Sequence, residues 1–154
     1  MNISEWSKTI LIASLYSTLT IIIAPFSFGL IQVRISEALT PLPFLIGPAG
    51  VYGLFLGCFI ANLFSPYGLA DLFIGSLSTL LAAWISYKSN RLIIACLSPV
   101  LVNSIFIGLL LHYYGAPLEF AIISVGIGET IACILIGYPL TKELEKRLSS
   151  TLPN

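Results

Sequence analysis

Charge is scarce in this sequence: 7 Lys and Arg and 7 Asp and Glu together make up 9% of the chain, against about 25% in soluble domains. Neither sign forms a run of five or more, and the formal net charge is +0, so the electrostatic footprint that nucleic acid demands is missing. Histidine is scarcer still. His112 stands alone, which rules out an HExxH or paired-His metal motif and reads as an interfacial residue near a helix end. Cys58, Cys96 and Cys133 lie far apart in apolar stretches with no CxxC spacing, so neither a zinc site nor a disulfide framework is indicated and they read as small buried hydrophobes. No Gly-Lys dipeptide occurs, which removes a Walker A loop and ATP hydrolysis by that route. No cofactor motif is visible, nor a nucleophile paired with a base, so the chain reads as a non-enzyme.

What is abundant is apolar side chain: 57% of residues, with a mean hydropathy of +0.99. That composition predicts an integral membrane protein. At about 20 residues per crossing, 154 residues hold at most six or so helices in a single transmembrane domain, 1–154, with membrane lipid as its surroundings. Clear apolar runs cover 9–24, 48–64, 68–87, 92–114 and 118–140. The first resembles a signal peptide, but Pro25, Phe26, Ser27 and Phe28 stand where a small-x-small cleavage site belongs, so it reads as a retained span.

The stretch 35–46 is short, and Pro41 and Pro43 break it. Charge asymmetry decides whether it crosses, because cytoplasmic loops collect Lys and Arg. Lys8, the pair Lys88 and Arg91, and the trio Lys142, Lys146 and Arg147 form three basic groups. They fall on one side only if an even number of crossings separates Lys8 from Lys88. Hence 35–46 crosses as well, giving six spans with both termini cytoplasmic and Arg34 as the one external cation; the alternative places Lys88 and Arg91 outside. Proline-broken backbone at membrane depth is tolerated where protein covers it or where it lines a cavity, so 35–46 suggests a cavity wall.

Arg34, Glu37, Asn62, Asp71, Asn103, Glu119 and Glu129 remain as polar residues within or at the edge of the membrane. Each ionisable one costs about 2.5 to 3.5 kcal/mol there and so is paired, wet or functional. Arg34 and Glu37, three apart, can pair with each other. Depth places Glu37, Asn62 and Asp71 in the outer part, with Asn103 and Glu129 deeper. Asp71 reads either as a helix N-cap or as part of a site, and Glu119 as a first-turn acid. Tyr16, Tyr52, Tyr67, Trp84 and Tyr87 read as belt residues rather than stacking surfaces. Gly53, Gly57 and Ala61, and Ala13 with Ser17, make smooth faces for close helix packing, within the chain or against a partner.

The segments VRISEALTPLPFL (33–45), GLFLGCFIANLF (53–64) and DLFIGSLSTLLAAW (71–84), with Gly128 and Glu129, resemble the QueT family over most of the chain. The resemblance implies an all-α, compact six-transmembrane-helix bundle whose second helix is short and proline-broken. It also implies a role as substrate-binding S component of an energy-coupling factor (ECF) importer in the cell membrane. Such a component takes up queuosine precursors of the deazaguanine-base type and works with a T component and two cytoplasmic ATPase subunits. On that reading Arg34, Glu37, Asn62, Asp71, Asn103 and Glu129 are candidate ligand residues, the acids as acceptors and the others as donors or orienters. S components commonly dock the T subunit through Ala-x-x-x-Ala on the first helix; here Ser17 follows Ala13. The rival reading is a channel or structural subunit in which these polar groups only hold helices together.

Overall fold

The computed structural model describes residues 2–29 and 32–151, and its regular elements are all helical among those residues. Helix α1 (Ile3–Ile22) starts in a capping box: Asn2 Oδ1 accepts from Glu5 N at 2.9 Å, and Glu5 Oε2 accepts from Asn2 N at 3.0 Å. Two otherwise orphaned amides are satisfied at the helix start. A four-residue turn, α2 (Ala24–Ser27), follows, and the chain returns through a 3₁₀ helix over Ile35–Leu39 and another short turn, α3 (Pro43–Ile46). Helices α4 (Pro48–Asn62), α5 (Gly68–Lys88) and α6 (Leu92–Tyr113) come next. The last stretch starts as α7 (Leu118–Glu129), widens into a π-helical segment over Thr130–Gly137 and ends as α8 (Tyr138–Thr151).

The small-residue repeat on α4 sets the architecture. A Cβ on Gly57 would lie 2.8 Å from Ala13 O and Tyr16 Cβ, and one on Gly53 would lie 2.9 Å from Thr9 O and Ile12 Cβ. Only glycine lets the two backbones come that close. Thr9 Oγ1 also donates to Ala49 O at 3.1 Å, so residues 9 to 16 of α1 meet 49 to 57 of α4 in increasing order and the helices run parallel. Helices α1 and α4 can be parallel neighbours only if 33–46 travels back between the two ends of the bundle. Gly47, with φ +72°, turns the chain against the Tyr87 ring, and Leu144 of α8 packs on the same core as Ile46 and Tyr87. Lys8, Lys88 with Arg91, and Lys142 with Lys146 and Arg147 therefore share one end of the fold.

By length and composition three helices among the described residues can cross a membrane: Gly68–Lys88, Leu92–Tyr113 and Leu118–Ser150. The sequence reading counts six. The difference has physical causes: Glu5 and Lys8 dilute α1, α4 has 15 residues, and Ile35–Ile46 is short and broken. Residues 36–43 are buried, as expected for irregular backbone. Side chains capture two of its carbonyls: Ser86 Oγ donates to Pro41 O at 3.2 Å and Cys133 Sγ to Glu37 O at 3.2 Å.

Candidate functional site

The six candidate residues are all buried, and they gather into two clusters. The distal cluster, at the end opposite the basic groups, is built on the turn joining α4 to α5. Arg34 lies on the extended segment that precedes the 3₁₀ helix. Its Nη2 meets Asp71 Oδ2 at 3.2 Å, its Nε donates to Ser27 O at 3.1 Å, and its guanidinium carbon sits 5.1 Å from the centre of the Phe28 ring. Ser65 Oγ donates to Asp71 Oδ2 at 2.6 Å. Asn62 Nδ2 donates to Asp71 O at 3.0 Å and to Cys58 Sγ at 3.4 Å. Asp71 is not a helix cap: Tyr67 holds that position, and the Asp71 carboxylate faces Arg34. The expected Arg34–Glu37 pair does not form, because a 3₁₀ turn starting at Ile35 carries Glu37 away toward α1.

The central cluster is built around Glu37. Tyr16 donates its hydroxyl to Glu37 Oε1, and Thr40 Oγ1 donates to Glu37 Oε2 at 2.5 Å. Glu129 ends α7, where Oε1 accepts from Asn103 Nδ2 at 2.9 Å and Oε2 lies 3.5 Å from Cys133 Sγ. Cys133 ties Glu129 to the main chain at residue 37, since its sulfur is also 3.2 Å from the backbone oxygen of Glu37. Glu37 thus groups with Asn103 and Glu129 rather than with the outer residues. The π-helical segment begins at Thr130, directly after Glu129. Such widened turns are frequent at functional sites, and here the widened turn lets Gly137 pass 2.8 Å, measured from an ideal Cβ, from Ala38 O.

Glycine at 128 has a specific cause. A Cβ there would collide with the Gln32 carbonyl, so only glycine lets the extended segment carrying Arg34 lie against α7. That contact sets Glu37 beside Glu129.

Sequence reasoning missed three contributors. Tyr16 is fully buried and not a belt residue; the stripe Thr9, Ala13, Tyr16 and Thr20 at helical spacing marks an inward face and could have revealed it. Thr40 follows Glu37 by three residues, and Cys133 follows Glu129 by four, one turn each. Tyr52 and Trp84 are 46% exposed, as belt residues are. Ala13 and Ser17, read as a docking face, are each 8% exposed. Ala13 lies under Gly57, so this face is occupied within the chain. The grooves lined by Val51, Tyr52, Leu77, Leu80, Leu81 and Trp84, and by Trp6, Tyr52, Phe55 and Leu56, are almost wholly apolar and lie outside both polar clusters.

A model of the QueT transporter family matches residues 6–146. The chain belongs to the QueT transporter family. No curated protein and no solved structure matches it. Membership makes it a membrane transporter.

Proposed function

We propose that this chain is the substrate-binding S component of an ECF importer and captures a deazaguanine-type queuosine precursor. The observation that carries this reading is a set of buried side-chain oxygens that make no hydrogen bond among the described residues: Asn62 Oδ1, Asp71 Oδ1 and Asn103 Oδ1, besides the Ser27, Ser76 and Thr141 hydroxyls. Leaving such groups unpaired costs about 1–3 kcal/mol each. A guanine-like base offers ring N–H and amino donors, the groups that such carbonyl and carboxylate acceptors take. Ligand binding then relieves a penalty that the empty protein bears.

In this reading 1–154 is one transmembrane domain of six crossings, and the end with the three basic groups faces the cytoplasm, termini included. The distal cluster is then on the outer side, where substrate arrives. A T component and two ATPase subunits supply ATP-driven reorientation, consistent with the missing Walker A motif. Because Ala13 and Ser17 are covered by the chain itself, T-component contact passes to the exposed side of α1, which carries Leu11, Ser14, Leu15 and Thr18.

The deciding experiment is to purify the chain alone in detergent, extract it and identify the small molecule released, then titrate the emptied protein with 7-deazaguanine bases. A deazaguanine in the extract, with saturable rebinding, is the expected outcome. An extract free of such bases together with no binding in the titration would overturn the proposal.

A further inference from the structure

Helices α4 and α5 share an apolar groove on the lipid side of the fold. Val51 and Tyr52 of α4 and Leu77, Leu80, Leu81 and Trp84 of α5 line a space of about 340 Å³ whose walls are almost wholly apolar. That volume falls within the roughly 300–1,000 Å³ of small-molecule sites. Leu77, Leu81 and Trp84 recur at helical spacing and are 55%, 43% and 46% exposed, so the groove lies on a face of α5 that looks out of the bundle.

The groove ends where the charge begins. Gly47, the residue before α4, lies against the Tyr87 ring, so Val51 and Tyr52 belong to the basic end of the fold. Lys88 follows Trp84 by four residues, one turn further along the same face, and is exposed. Its Nζ sits 5.6 Å from the centre of the Trp84 ring and 4.8 Å from that of Tyr87, and those two rings meet edge-on at 5.8 Å. No Asp or Glu occurs between residues 72 and 118, and Lys88 makes no ion pair among the described residues. The ammonium is thus held against aromatic faces at the mouth of an apolar groove, with no acid to neutralise it.

The geometry points to a seated anionic phospholipid, with one acyl chain in the α4–α5 groove and its phosphate paired with Lys88. The two are complementary at both ends: the tail meets Leu77, Leu80 and Leu81, and the negative headgroup meets a cation that lacks a counter-charge. Lys and Trp side chains together mark the level at which headgroups sit, the lysine stem lying along apolar surface while its charge reaches the interface. A small polar solute has no donor or acceptor to meet in such walls. This lipid seat goes beyond the proposed function and does not depend on which solute the chain carries.

The test uses Trp84 as its own reporter. Trp6→Phe leaves Trp84 as the one tryptophan, and the full chain is reconstituted in phosphatidylcholine vesicles that carry either brominated phosphatidylglycerol or brominated phosphatidylcholine. Bromine quenches tryptophan fluorescence on contact, so the quenching curves give the relative affinity of the two lipids at the groove. One lysine near the surface is worth about fivefold in binding an anionic lipid, and phosphatidylglycerol should be preferred by about that factor. Lys88→Gln should bring the two lipids to within about twofold, whereas Lys146→Gln, at the same end but on α8, should leave the preference in place. Equal quenching by both lipids with Lys88 intact would overturn the inference, because ordinary lipid contact gives that result. A preference that survives Lys88→Gln, or that Lys146→Gln removes as fully, would overturn it as well, since the preference then comes from the general charge of the basic end. Absence of quenching by either lipid would show the groove covered by a second copy of the chain and would likewise overturn it.

Discussion

The two polar clusters hold their carboxylates in opposite ways. In the distal cluster a guanidinium neutralises Asp71 through Oδ2 and leaves Oδ1 unpartnered. In the central cluster Glu37 forms no ion pair among the described residues: Tyr16 and Thr40 hydroxyls fill its two oxygens. Glu129 likewise meets a neutral donor, the Asn103 amide, with the Cys133 sulfur 3.5 Å from its other oxygen. Depth in the membrane therefore does not fix how a buried carboxylate is held. What distinguishes a receiving carboxylate from a positioning one is whether an oxygen remains open after the protein has made its own bonds.

The sharpest way to break the comparison is to remove the distal cation. Arg34→Leu leaves the Asp71 charge buried at 0% exposure with only Ser65 and no counter-ion. Breaking a buried pair by removing one partner costs about 3–5 kcal/mol. The expected outcome is a large drop in the thermal midpoint of the detergent-purified protein, and in its yield. Replacing both partners, Arg34→Leu with Asp71→Leu, should recover most of that stability and none of the ligand affinity. A single Arg34→Leu variant with wild-type stability would show that the pair does not seat the extended segment before the 3₁₀ helix.

The central cluster should respond differently. Tyr16→Phe removes the hydroxyl donor from Glu37 while keeping the ring that packs under Gly57, so the loss is that of a buried bond to a carboxyl group, about 1–3 kcal/mol. Glu37→Gln should cost a similar amount, because an amide can accept from only one of the two hydroxyls. In both variants 7-deazaguanine affinity should stay within about threefold of wild type, under half of the roughly 1.4 kcal/mol that a tenfold change requires. Lower affinity with unchanged stability would move the ligand from the distal to the central cluster.

These partnerships were only partly open to sequence reasoning. The six polar residues stood out because so little else in the chain is charged, and the close face of α4 was plain from Gly53, Gly57 and Ala61. The partner of Arg34 was not. Asp71 is 37 residues away, and whether Arg34 turns to it or to Glu37 depends on a 3₁₀ turn whose direction no periodicity announces. Helices that are apolar nearly all round also hide which side faces inward. That is how Tyr16 came to resemble a belt residue, and how Ala13 came to resemble a free docking face when it lies under Gly57. The crossing count depended on Ile35–Ile46, whose buried carbonyls are satisfied by Ser86 and Cys133, side chains distant in sequence.

The smallest expected effect tests whether Cys133 belongs to the central cluster at all. Cys133 and Cys96 are both 0% exposed, so Cys→Ala at either site deletes one sulfur from packed surroundings. They differ in bonding: Cys133 Sγ donates to Glu37 O at 3.2 Å and lies 3.5 Å from Glu129 Oε2, whereas the Cys96 sulfur makes no hydrogen bond among the described residues. The cavity term is common to both variants, and the difference isolates the thiol contacts. A thiol is a weak donor, so Cys133→Ala should be the more destabilising by about 0.5–1 kcal/mol, the lower half of the usual net range for a hydrogen bond. Thermal unfolding of the two variants side by side measures that gap. Equal losses would reduce Cys133 to packing, and would leave Glu129 without a thiol tie to the main chain at residue 37.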